Sequence, residues 1–304
     1  MKKSLFLAVA AILLTGVALA GNRHGTLSVN TTDDSASDDC RDRLQVYGDL
    51  YRTTARDEAT ISVPNQSLHI SAERNGGIHV TTWDKPEFSI KLCKQAMADD
   101  EATARKALAE TKLERDGSNI YVSSPDHSDD FALGVVILVK APKDAVLSLA
   151  VRNGGVSLNR FTGTVAATSV NGGISMKHSS GKIEAHAQNG GISVTDCGGD
   201  VTANVQNGGI TLALADRWEG KGLEAHTQNG GMVVSVPSNF SSGLEVSGSL
   251  HTSFACRGNV CDNAQRTWDD NHKIVRIGSN PIVHATTVNG GIIIQDRGHV
   301  RAEM

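Results

Sequence analysis

The triplet Asn-Gly-Gly occurs seven times in this chain, beginning at Asn75, Asn153, Asn171, Asn189, Asn207, Asn229 and Asn289. The copies at Asn153, Asn171, Asn189 and Asn207 are evenly spaced, and Asn229 follows after a longer interval because "DRWEG" lengthens one loop. Counted from each Asn, position four is Val156, Ile174, Ile192, Ile210 and Met232, and position six is Leu158, Met176, Val194, Leu212 and Val234. Both positions are apolar in every copy. A second glycine stands at position eleven (Gly163, Gly181, Gly199), followed by Val165, Ile183 and Val201 and, two residues later, by Ala167, Ala185 and Ala203. Each unit therefore reads turn, short strand, turn, strand, with one apolar face per strand.

Two architectures accept turns at this spacing. In an antiparallel meander Asn-Gly is a hairpin turn. In a solenoid it is a corner, where the positive φ that Gly or Asn supplies cheaply is needed. Burial separates them: a meander of these strands leaves one apolar face that needs a second layer the chain hardly supplies, whereas a solenoid turns both sheets inward and stacks like on like. The expectation is an all-β parallel solenoid with coils of about 18 residues, in which the alanine column lets the facing sheets come close. The corners are then Asn153, Gly154 and Gly155; Asn171, Gly172 and Gly173; Asn189, Gly190 and Gly191; Asn207, Gly208 and Gly209; Asn229, Gly230 and Gly231; and Asn289, Gly290 and Gly291. One Gly in each is expected at positive φ, with the Asn side chains bonded in a column.

Residues 1–20, "MKKSLFLAVAAILLTGVALA", carry Lys2 and Lys3 ahead of an apolar run that ends in Ala18-Leu19-Ala20, the pattern of a cleaved secretory signal. The run is short for a spanning helix, and no second stretch approaches the length of about 20 residues that a membrane span requires. Without the leader the chain keeps 27 basic and 33 acidic side chains, a net charge of −6. An acidic exported protein without a basic stripe is a poor partner for nucleic acid. Five cysteines in such a chain point to disulfides with one thiol left over. Cys256 with Cys261, in "CRGNVC", is the first expected pair and Cys40 with Cys93 the second, while Cys197 replaces a Ser of its repeat.

Residues 21–39 are polar and aperiodic, a flexible lead, and one solenoid domain is expected over 40–304, with its repeat core at 151–250. "ADDEATARKALAETKL" is the one helical segment, expected over 98–113: Asp99 or Asp100 caps it, and Ala104, Ala107, Leu108 and Thr111 form a thin stripe suited to covering a sheet. The least repetitive stretch, 252–280, holds Asp262, Trp268, Asp269, Asp270 and His272 on an excursion between coils.

The segments "ERNGGIHVTTWDKPEFSIKL", "VVILVKAPKDAVLSLAVRNGGVSL", "NGGISMKHSSGKIEAHAQ" and "TTVNGGIIIQ" together resemble the exported bacterial β-solenoid family known as "putative adhesins", over residues 60 to 295. The resemblance implies a right-handed parallel β-helix and an envelope location, periplasmic or at the cell surface. It brings no catalytic residues.

The polar residues suggest no chemistry that the spacing supports. Calcium β-rolls repeat G-G-x-G-x-D, and only "CGGDVTA" comes near that pattern. His186 and His226 share a repeat position two coils apart, roughly 10 Å, too far for one metal whose bonds are about 2 Å. No Asp/Glu pair recurs at a spacing that would place two carboxylates over one sugar. The expectation is a non-enzymatic exported protein without cofactor or metal, an adhesin-like scaffold or interaction surface for an envelope protein or surface glycan. The alternatives are a carbohydrate-active β-helix enzyme and an envelope-stress sensor or assembly factor.

Overall fold

Alternation along the chain sets the layout: in Asp200–Asn207 the side chains of Val201, Ala203 and Val205 are buried while Thr202, Asn204 and Gln206 face outward. The structure, a computed structural model, describes residues 39–46, 51–126, 128–268 and 271–297. The leader, the lead up to residue 38, and Asp269 and Asp270 lie outside the described residues.

Each repeat contributes one longer and one shorter strand to two different sheets. The longer strands are Val146–Asn153, Thr164–Asn171, Lys182–Asn189, Asp200–Asn207, Gly222–Asn229 and Val283–Asn289. The shorter ones are Val156–Asn159, Ile174–Lys177, Ile192–Thr195, Ile210–Ala213, Met232–Val236 and Gly291–Asp296. These strands pair in parallel with their neighbours of the same kind, which excludes the meander. Register is kept without slip, so Ala167, Ala185, Ala203, Ala225 and Ala285 stand in one column, as do Ile192, Ile210, Met232 and Ile292 in the other sheet. The inward residues of both sheets form one continuous apolar core. Bulk that the alanines lack is supplied at the second turn, where Phe161 and Trp218 are buried. Trp218, from the "DRWEG" insertion, donates its indole N–H to the carbonyl of Gly199 at 3.1 Å, so its burial leaves no indole donor unpaired.

At the N-terminal end, strand Leu68–Thr82 runs through a corner and belongs to both sheets, pairing with Val146–Asn153 and then with Val156–Asn159. Beyond it the short-strand sheet continues through Phe131–Ala141, Glu87–Ala98 and Thr53–Pro64, the last two antiparallel to their neighbours. Helix Glu101–Glu110 covers this extension through Ala104, Ala107 and Leu108. It is shorter than the expected 98–113 because Ala98 still belongs to a strand and Lys112 begins the next. Its cap is Asp100, whose carboxylate accepts from the N–H of Thr103 at 2.8 Å. Buried Lys94 serves its other end, donating to the carbonyls of Leu108 and Thr111 at 3.0 Å each while pairing with Asp57 at 2.6 Å. The Cys40–Cys93 disulfide ties the segment holding Leu44 and Val46 across Val136 and Leu138.

The C-terminal end departs from chain order. Strands Leu244–Ser249 and Ser253–Arg257, with the hairpin Gln265–Trp268 and His272–Ile277, form the end of the stack. The last repeat then returns inside it. Val283–Asn289 sits between Gly222–Asn229 and Leu244–Ser249, and Gly291–Asp296 between Met232–Val236 and Ser253–Arg257. The stretch 252–280, read from sequence as an excursion between coils, therefore lies mostly beyond the final layer.

Candidate interaction surfaces

At the corners, the side-chain amides of Asn171, Asn189, Asn207, Asn229 and Asn289 each donate to the side-chain oxygen of the Asn one layer back, at 3.0 to 3.1 Å. The column runs from Asn153, and its last step joins residues 60 apart in sequence. Positive φ is only part of the glycine requirement: Gly154, Gly172 and Gly208 lie at 150–154°, whereas Gly190, Gly230 and Gly290 are not in that region. What the first glycines share is close approach. A Cβ on Gly208 would overlap the carbonyl oxygen of Gly190, and one on Gly290 that of Gly230.

The outward side of the longer strands is a grid of polar side chains in register. Glu184, Thr202, Glu224 and His284 form one column, and His186, Asn204, His226 and Thr286 the next. Gln188, Gln206 and Gln228 occupy the equivalent position beside the asparagine column. Glu184 and His186 contact at 2.8 Å, and Glu245 accepts from Arg276 at 2.5 Å with His284 3.7 Å away. His186 and His226 are two layers apart with Asn204 between them. Among the described residues, no group of three or more His, Cys, Asp or Glu side chains could hold a metal ion.

The outward side of the shorter strands changes character along the stack. Ser157, Ser175, Ser193 and Thr211 give way to Val233, Ile293 and Ala255. There, beside Gly209, Gly231 and Gly291, runs a shallow groove of about 510 Å³. Cys197 belongs to neither face; it is buried, and desolvation pushes its thiol up to about 11, which makes it a poor nucleophile.

In the end segment the Cys256–Cys261 disulfide closes a short turn. The Asp296 carboxylate accepts from the backbone N–H groups of Asn259 and Val260, both at 2.8 Å, so the last repeat anchors that turn. Trp268 is 74% exposed, and Asp262 and His272 are exposed as well. Arg297, which nothing in the sequence marks, reaches back to Asp196, donating to Oδ2 at 2.6 Å and to Oδ1, and also to the carbonyl of Leu214 at 2.6 Å. The Arg297 guanidinium holds the Asp196 carboxyl below the ordinary carboxylate range.

No protein-family model and no curated protein matches the chain. Among solved structures it is similar to a "putative cell adhesion protein" of Clostridium sporogenes, at 13% identity over 80% of this chain and 100% of that one, with a TM-score of 0.29. It is also similar to a "putative adhesin" of Parabacteroides merdae (8% identity, 80% and 96% covered, TM-score 0.35) and a "putative lipid binding protein" of Parabacteroides distasonis (9%, 80% and 97%, 0.27). Superposition at these scores is slight.

Proposed function

We propose that this chain is a non-enzymatic exported protein of the bacterial envelope, a member of the "putative adhesin" family, that works as a scaffold or interaction surface. Its strands wind as a right-handed parallel β-helix over one domain, 40–304, whose Asn-Gly-Gly corners serve shape. The carrying observation is the outward grid of the longer strands, where Thr202, Asn204 and Gln206 lie in register between Glu184-His186-Gln188 and Glu224-His226-Gln228. Such a face presents donors and acceptors at the layer spacing of about 4.8 Å, which suits docking of an envelope protein or surface glycan. The leader pattern and two disulfides support export to the periplasm or cell surface.

Binding of the mature chain to washed envelope fragments tests this, with Asn204→Trp placing a bulky ring in the middle of the grid. Affinity is expected to fall by about tenfold or more at an unchanged melting temperature. Equal binding by the variant, or release of reducing ends from a polysaccharide by the wild type, would overturn the proposal.

A further inference from the structure

At the turn that follows the shorter strands, three successive layers hold a non-glycine residue in the left-handed region: Arg160 (φ 53°), His178 (φ 50°) and Asp196 (φ 50°). This conformation costs a residue with a Cβ on the order of 1 kcal/mol, although the same turn uses Gly163, Gly181 and Gly199 three residues later. Side chains kept at a strained corner call for a use. Asp196 has one in Arg297. Arg160 and His178 are exposed, one layer or about 4.8 Å apart. The Asp196 carboxylate, one layer on from His178, is committed to Arg297.

The corner continues toward the N-terminal end into more positive charge. The Lys85 and Lys140 ammonium groups lie 4.8 and 5.8 Å from the centroid of the Trp83 ring, which is fixed by its indole N–H donating to the carbonyl of Glu87 at 2.7 Å. Of the nearby carboxylates, Asp84 is paired with Lys143 at 2.7 Å, whereas Asp144 accepts from the neutral Asn65 amide at 3.0 Å and keeps its charge. In a mature chain of net charge −6 the corner thus sets Lys85, Lys140 and Arg160 against the carboxylates of Asp144 and Glu87, a local excess of positive charge. Arg160 and His178 follow one another along the stack, and Lys85 lies in the turn after Leu68–Thr82, the strand paired with Val156–Asn159, so the charges are spread rather than convergent, which suits an extended polyanion better than a small ion. The Trp83 ring already carries two ammonium groups, so it competes poorly as a platform for the base stacking by which single-stranded nucleic acids are held.

We propose that this corner binds an acidic polysaccharide laid along the stack, with the carboxylates of successive sugars meeting Lys85, the Arg160 guanidinium and the His178 imidazole. The site is distinct from the polar grid, so either proposal can fail without the other.

The test uses the mature full chain and immobilised polygalacturonate, with neutral dextran and double-stranded DNA alongside. Polygalacturonate is expected to bind at low salt and to weaken as salt rises, with dextran and DNA much weaker. Arg160→Gly removes both the guanidinium and the strain, so it should lose binding by about tenfold or more while the melting temperature holds or rises. Lys85→Glu should weaken binding similarly. Arg266→Glu, at the opposite end of the stack, should stay within about twofold of wild type, since screening limits charge effects to about 10 Å. Absence of polygalacturonate binding, DNA binding of equal strength, or an Arg266→Glu loss equal to that of Arg160→Gly would each overturn the proposal.

Discussion

The middle repeats and the C-terminal end are built from the same unit but assembled differently. From Val156 to Val236, neighbours in the stack are neighbours in sequence, and each layer rests on the repeat immediately before it. At the end, the layer resting on Gly222–Asn229 comes from a much later part of the chain, and the segment that would follow in chain order is displaced outward. The asparagine column crosses this junction with the same 3.0 Å bond as elsewhere. What specifies a layer, then, is its columns, and chain order decides only which loops must be closed. Loop closure grows slowly with length, so a long detour costs little against a layer paired on both sides.

The largest effect is expected where both regions depend on the same buried column. Ile192→Asp puts a carboxylate at a position with 0% exposure and should cost about 4 kcal/mol or more, or abolish folding. Ser193→Asp, the next residue on the outward face, should cost below about 1 kcal/mol. Chemical denaturation of the two variants checks the strand phase, and equal losses would refute it.

A second pair of variants tests the junction itself. Gly208→Val and Gly290→Val each force a side chain onto a backbone carbonyl, of Gly190 in the first case and of Gly230 in the second. Both should cost about 3 kcal/mol, in the range for overpacking against atoms that cannot move. A neutral Gly290→Val in a thermal melt would mean that the last repeat does not lie on the one that begins at Asn229.

Asp196→Asn should have a smaller effect than either glycine substitution, about 1 to 2 kcal/mol at neutral pH, because a partly exposed bidentate ion pair is lost. Its pH dependence has a definite sign. The Asp196 pKa is lowered by Arg297, so the unfolded chain takes up its proton first, and the ion pair contributes in full above the ordinary value of 3.8. Below that value the contribution fades, and the stability of wild type and variant should converge in acid. A gap that is constant with pH would show that the pair contributes nothing through charge.

The period and the apolar positions are legible in the chain because each is local, and parallel stacking follows from the need to bury both strands of every repeat. Asn at position one and apolar residues at positions four and six are visible within any window one repeat long. The requirement for glycine was read as one of torsion, whereas close approach to the layer below is the more general cause, and a window of sequence cannot display a neighbour that is not in it. The same limit hid Trp218, which looked like part of a lengthened loop and is buried at the end of the core. The positive corner is illegible for a related reason: Lys85, Arg160 and His178 are scattered along the chain, and only the pairing of Leu68–Thr82 and Ile174–Lys177 on either side of Val156–Asn159 brings the turns that follow these strands together.

Sequence by itself determined the unit, since turns at a fixed interval and alternating burial leave the backbone few ways to satisfy both its hydrogen bonds and its apolar faces. Tertiary structure alone decided the order of the units and what lies at their ends. Every layer presents nearly the same columns above and below, so local pattern fits the last repeat equally well in several places. The choice fell to contacts that only the folded chain makes: the Asn229–Asn289 bond, Asp296 on the disulfide-closed turn, and Arg297 on Asp196.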